Sequence, residues 1–266
     1  MSGPIASAPS AQTETSEQRR VVEAGLIGAA TFSSRVVALI LAICLASPSL
    51  AVLPASEDHP GTDHHSITEL RPIEKIEYSE FNHHGAGAAL FILALIALAM
   101  ELGGILNRGL RVTRWLWSAA WLLLGAFLFV RSDPDNWPWG PIGFVETFTD
   151  AETLQHKLFA AVAVAIGIAE GSIAASSRSG DRHGSLLGLT FPILCIASGL
   201  LLALHSFVHT HMPRVYWQHL AFAVMGILVG TAKLLRERGG GNRLSPLVWP
   251  TLLMLFAGLL LLYTER

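Results

Sequence analysis

The chain has 266 residues, of which 52% are hydrophobic and only 14% charged, and its mean hydropathy is +0.48. That is more apolar surface than a water-soluble core of this size requires, so lipid is part of the solvent of this protein. The formal net charge of -2 is spread along the chain, without a basic patch interleaved with aromatics, which excludes nucleic acid as a partner.

Residues 1–34 are rich in Ser, Ala and Thr and too polar to bury a core, so disorder is expected there. An apolar stretch from Val36 to Ala46 comes after Arg35, and Pro48 then precedes the small-residue pattern Ser49, Leu50, Ala51. This is the pattern of a secretory signal peptide cleaved after Ala51, the alternative being an uncleaved anchor helix; either exports the next segment of the chain. Residues 52–79, with Pro54, Pro60, Pro72 and the histidines His59, His64 and His65, read as a polar segment outside the cytoplasm, the three histidines being weaker candidates for metal capture. Residues 80–266 form the membrane domain. Apolar segments at 84–106, 112–130, 154–175, 186–208, 214–234 and 246–263 approach the ~20 residues that cross a bilayer, the second and sixth being the shortest. The expected fold class is therefore all-α: a polytopic membrane helix bundle of about six transmembrane helices after an N-terminal signal peptide or anchor, with short connections between antiparallel neighbours. Cys44 and Cys195 both lie inside apolar runs and do not make a framework of surface disulfides.

Cytoplasmic loops retain Lys and Arg during insertion, so the flanking charges orient the bundle. With the segment before the first span outside, Arg108, Arg111, Arg114, Arg178, Arg182, Lys233, Arg236, Arg238 and Arg243 fall inside, and only Arg131, Lys157, Arg214 and Arg266 fall outside. On that topology His83 and His84 open the first span, His156 opens the third, His205, His209 and His211 close the fourth, and His219 opens the fifth. All seven share the outer side, while His183 lies in a cytoplasmic loop.

Ionisable groups at membrane depth are costly and mark functional positions, and neutral imidazole suits copper, zinc, iron and haem. The plainer reading is that each histidine rests its polar tip among the lipid headgroups. Pro213 should interrupt the chain, with His205 and His219 at similar depths on either side of it and His209 one turn beyond His205, so those two imidazoles are expected to face one another or a shared ligand. Glu80 precedes His83 and His84, and Glu152 precedes His156, at helical spacing; with Asp133 and Asp135 these are the candidate auxiliary ligands. The loop RSDPDNWPWGPIGFVETFTD at 131–150 is expected to cover the bundle mouth or to anchor it at the interface through Trp137 and Trp139. Glu101 and Glu170 are expected to pair with Arg108 or Arg114 near the inner ends. No nucleophile and base arrangement, phosphate-cradling loop or dinucleotide fingerprint is present, so enzymatic activity is not expected.

The stretches SEFNHHGAG at 79–87, RSDPDNWPWGP at 131–141, LQHKLFA at 154–160 and LHSFVHTH at 204–211 resemble bacterial membrane proteins of the copper resistance protein D-like group. The resemblance covers residues 79–266. It implies copper handling at the bacterial cytoplasmic membrane, with His83, His84, His156, His205, His209 and His219 at the positions of that group's histidines, a site facing the periplasm, and a periplasmic copper carrier as a candidate partner beside the lipid bilayer. The expected function is thus copper binding that contributes to copper uptake or tolerance. Two alternatives stand beside it: a membrane electron-transfer protein with b-type haem held by His205 and His219, and a non-catalytic subunit of a larger membrane complex.

Overall fold

The computed structural model describes residues 72–105, 111–149, 151–176, 187–206, 212–238 and 246–266. The expected signal peptide or anchor, the histidines of the 52–71 stretch, His183, His209 and His211 lie outside the described residues, as do the side chains of Glu152 and His205, whose backbones are helical.

Among the described residues six α-helices succeed one another: α1 (Pro72–Ile105), α2 (Arg111–Val130), α3 (Ala151–Ser176), α4 (Thr190–Ser206), α5 (Pro213–Arg238) and α6 (Val248–Leu261). Short 3-10 turns at Glu146–Phe148 and Leu187–Leu189 precede α3 and α4. Among the described residues there is no strand, and the expected spans match these helices closely at α2 to α6. The exception is α1, which starts at Pro72 inside the segment read as a polar linker. Pro72 is not a breaker there: proline suits the first helical position, where its missing N–H has no intrahelical role, and Glu74 complements the positive end of the dipole. Pro213 likewise begins α5, and Pro192 and Pro250 lie near the starts of α4 and α6.

Five helices are long and apolar enough to cross a membrane, and α6 is a shorter apolar helix. Large apolar side chains stand exposed on outward faces, including Ile92 and Leu95 on α1, Leu116 and Leu123 on α2, and Leu255 on α6. A soluble bundle would present polar residues there; this one presents lipid-compatible surface, and the protein is a multi-pass membrane protein.

Each helix packs against its neighbours in sequence, and α6 returns to pack on α1, so the six close into a ring. Lipid is as apolar as leucine, so such helices associate through close packing rather than hydrophobic burial. Small residues provide it. On α5, Gly226 and Gly230 let the backbone approach α4, where a Cβ on Gly230 would stand 2.6 Å from the Pro192 carbonyl and one on Gly199 would stand 2.7 Å from that of Ala223. On α3, Gly167 and Gly171 repeat the spacing against α2, and Ser118 donates a hydrogen bond to the Gly167 carbonyl at 2.7 Å. Gly87 of α1 meets the backbone of Ala257 and Leu261 on α6 in the same way.

The ring interior is layered. At one end lie His83, His219 and Tyr263; further in, Trp117 and Trp121 of α2, Phe191 of α4 and Trp249 of α6 meet edge to face at 5.6–5.8 Å. At the far end Glu101 pairs with Lys233 and Arg236, both at 3.7 Å, and accepts a hydrogen bond from Trp249 Nε1 at 2.9 Å. Lys233 also pairs with Glu237 at 2.9 Å. These cations of Glu101 come from α5, because the ring brings that helix across from α1; Arg108, one of its expected partners, lies outside the described residues.

Gly199→Val, whose branches would collide with α5 backbone, should destabilise the bundle by about 1–3 kcal/mol in thermal unfolding in detergent. Gly258, whose Cβ position is open, serves as the contrast: Gly258→Ala should be neutral or stabilising by up to about 1 kcal/mol.

Candidate functional site

Two chambers that share part of their lining lie at the histidine end of the ring. A vestibule of about 440 Å³ is lined by Tyr78 and Asn82 of α1, by Arg131 to Asp135 after α2, and by Met212, Tyr263 and Glu265. Beneath it, all six helices line an inner cavity of about 210 Å³. His83 of α1, His156 of α3 and His219 of α5 line both chambers, so they form the neck between them.

Helical geometry sets two of these rings. A carbonyl oxygen can only accept, so His83 Nδ1 donates to the Ser79 carbonyl at 2.9 Å and His219 Nδ1 donates to the Val215 carbonyl at 2.9 Å. Each is a bond to the residue one turn back on the same helix. In the neutral ring this fixes the tautomer and gives the lone pair to Nε2, on the side away from the helix that holds it, which is how the partner nitrogen of a metal-ligating histidine is normally fixed. The two ring centroids are 5.7 Å apart at an interplanar angle of 84°. Tyr263 stacks on His83 at 3.8 Å and meets His219 at 5.8 Å, and Phe222 borders both imidazoles.

The side chain of His205, the expected partner of His219, lies outside the described residues. His219 faces His83, from the first helix, because ring closure places α1 beside the end of α6 and α5. His84, next in the chain, points elsewhere: its Nε2 donates to the Tyr263 carbonyl at 2.9 Å, and it lines neither chamber. It is therefore a clasp between α1 and the end of α6, not a partner of His83 in the neck.

The auxiliary acids separate in the same way. Glu80 Oε1 accepts from Thr264 Oγ1 at 2.9 Å and from the Glu265 N–H at 3.0 Å, so this carboxylate holds the last residues of the chain instead of turning to the imidazoles. Asp133 and Asp135 line the vestibule, where Asp133 accepts from the Asp135 N–H at 2.7 Å and Asp135 pairs with Lys75 at 2.5 Å. That pair ties the 131–149 segment to α1, while Trp137, Phe144 and Phe148 pack on one another and on Phe129. The loop thus walls the vestibule with its first residues and folds the rest into its own aromatic cluster.

Among the described residues no group of three or more His, Cys, Asp or Glu side chains is placed to hold one metal ion. What the neck offers is a pair of oriented imidazoles, with His156 on the third side. Residue types alone did not reveal Tyr263, or Lys157, which is buried at 4% exposure with its Nζ donating to the Phe129 carbonyl at 3.1 Å. Their partners are distant in the sequence.

Glu80→Ala removes the acceptor for two donors and should cost about 1–3 kcal/mol, together with faster hydrogen exchange at residues 262–266; Glu80→Gln, which keeps an acceptor oxygen, should lose less in both measurements. No family model, curated protein or solved structure matches the chain.

Proposed function

We propose that this is a copper-binding membrane protein that takes the ion at the histidine neck and contributes to copper uptake or tolerance. The observation that carries the reading is the pairing of the half-buried His83 with the buried His219, imidazoles from different helices whose Nδ1 atoms are both committed to main-chain carbonyls. Metal–nitrogen bonds of about 2.0 Å on each side put the centroids of two bridged imidazoles roughly 6 Å apart, and the observed separation is 5.7 Å. A pair of neutral nitrogen donors suits Cu(I), a d10 ion that accepts two-coordinate, nearly collinear ligation, better than zinc, which favours four ligands. The resemblance of the histidine-bearing stretches to copper resistance protein D-like proteins supports the same ion.

The vestibule would receive the ion; its Asp133 and Asp135 carboxylates share the lining with Lys75 and Arg131. On the excess of Lys and Arg at the opposite end, the vestibule faces the periplasm of a bacterial cytoplasmic membrane, where a soluble carrier would dock. The inner cavity favours a small ion over haem: about 150 Å³ of apolar cavity accommodates a benzene ring, and 210 Å³ is far short of a tetrapyrrole.

Purified full-length protein, titrated with Cu(I) against a chromophoric competitor under reducing conditions, should bind stoichiometric copper. The His83→Ala, His219→Ala double variant should bind at least about tenfold more weakly, while His84→Ala should keep wild-type affinity. Copper retained by the double variant overturns the pair as the site. A wild-type protein that binds no copper overturns the function and leaves the subunit reading.

A further inference from the structure

We infer that the inner cavity is a binding site for a neutral, ring-shaped carbonyl compound of the quinone class, independent of what the histidine neck holds. The cavity lies inside the ring of helices and its wall is apolar over most of its extent, with Leu90, Leu124, Ile166, Val229 and Phe256 among its lining. Two groups in that wall break the pattern. Trp121 Nε1 and Ser198 Oγ are both buried, and neither has a hydrogen-bond partner among the described residues. Trp121 is only 6% exposed.

Leaving a buried donor unpaired costs about 1–3 kcal/mol, and such groups mark a partner or a function. The indole N–H donates only, so the partner must present an acceptor; a serine hydroxyl can add a second bond to the same oxygen or meet another. A charged ligand is disfavoured because the rest of the wall would not solvate it. The cavity's 210 Å³ exceeds by a modest margin the roughly 150 Å³ that accommodates benzene, so one substituted six-membered ring fits. Aromatic faces are available to it from Trp121, Phe159, Phe222 and Phe256. A 1,4-quinone carries carbonyl oxygens on opposite sides of such a ring, so the Trp121 N–H and the Ser198 hydroxyl can each meet one. An ester carbonyl of a lipid shares the acceptor chemistry but brings a flexible chain, which gains less from aromatic walls.

The test is calorimetric titration of the purified full-length protein in detergent with duroquinone, a tailless ring without a free position for thiol addition at Cys195. Saturable binding is expected. Trp121→Phe, which keeps an aromatic ring and removes the N–H, and Ser198→Ala should each weaken it by about three- to tenfold. Ala163→Phe, which fills the cavity, should abolish it while thermal unfolding shows the bundle intact. Non-saturable uptake by the wild type, or equal affinity in the Trp121→Phe, Ser198→Ala double variant, overturns the site. Displacement of duroquinone by a short-chain phosphatidylcholine at comparable concentration overturns the quinone class in favour of lipid. Copper affinity, measured on the same preparations, is expected to be unchanged in Trp121→Phe, so failure of this site and failure of the copper pair are separately visible.

Discussion

Closure of the helix ring by the end of the chain is the constraint on which the rest of this structure depends. Six helices placed in sequence order around a centre have one open seam, between the first and the last. Here it is shut by directed bonds: Glu80 accepts from Thr264 and the Glu265 backbone, and His84 donates to the Tyr263 carbonyl. Gln218 of α5 adds a reciprocal pair, its amide nitrogen donating to the Thr264 carbonyl at 2.7 Å and its oxygen accepting from the Thr264 N–H at 3.0 Å. Bonds of this kind carry weight near a membrane, where apolar contact between helices competes with equally apolar contact to lipid. The same closure sets Tyr263 against His83 and brings α5 within reach of α1, so the neck is a product of the seam.

Several of the polar groups within the ring are supplied with local partners by the chain. The neck imidazoles bond to carbonyls one turn back on their own helices, which removes one nitrogen from the polarity each ring brings into the interior. At the opposite end Lys233 lies between two carboxylates and 4.4 Å from the centre of the Trp249 ring, so that charge too is shared among several groups. Between them lies the aromatic layer of Trp117, Phe191 and Trp249, each almost fully buried. On α5, fourteen residues separate His219 from Lys233, about 21 Å of helix rise, so the two polar layers stand far enough apart to act as separate sites.

Much of the fold was legible because hydropathy reports lipid directly. Runs such as 112–130 and 154–175 have the length and apolarity a bilayer requires, and the helices formed within a few residues of the expected limits. The start of α1 was not, because Pro72 and the charges after it read as a linker when a proline at a first helical position reads equally well as a beginning. The gathering of histidines at one end was visible as composition; their partners were not. His83 and His84 are adjacent in sequence yet face in different directions, as consecutive helical residues must, and only the packing of α6 decides which one faces the neck. Trp121 and Ser198 carried no signal at all, since a tryptophan and a serine in apolar runs are ordinary, and what distinguishes them is the bond each lacks among the described residues.

The length of α1 has a further implication for how the protein meets the soluble phase. Its 34 residues rise about 51 Å, against roughly 30 Å for the hydrocarbon core of a bilayer. Its first turns carry Lys75, Glu77 and Glu80, each tied to another part of the histidine end. One wall of the vestibule is therefore a rigid post that stands clear of the acyl chains, and a water-soluble molecule can reach the rim from the side without having to enter lipid.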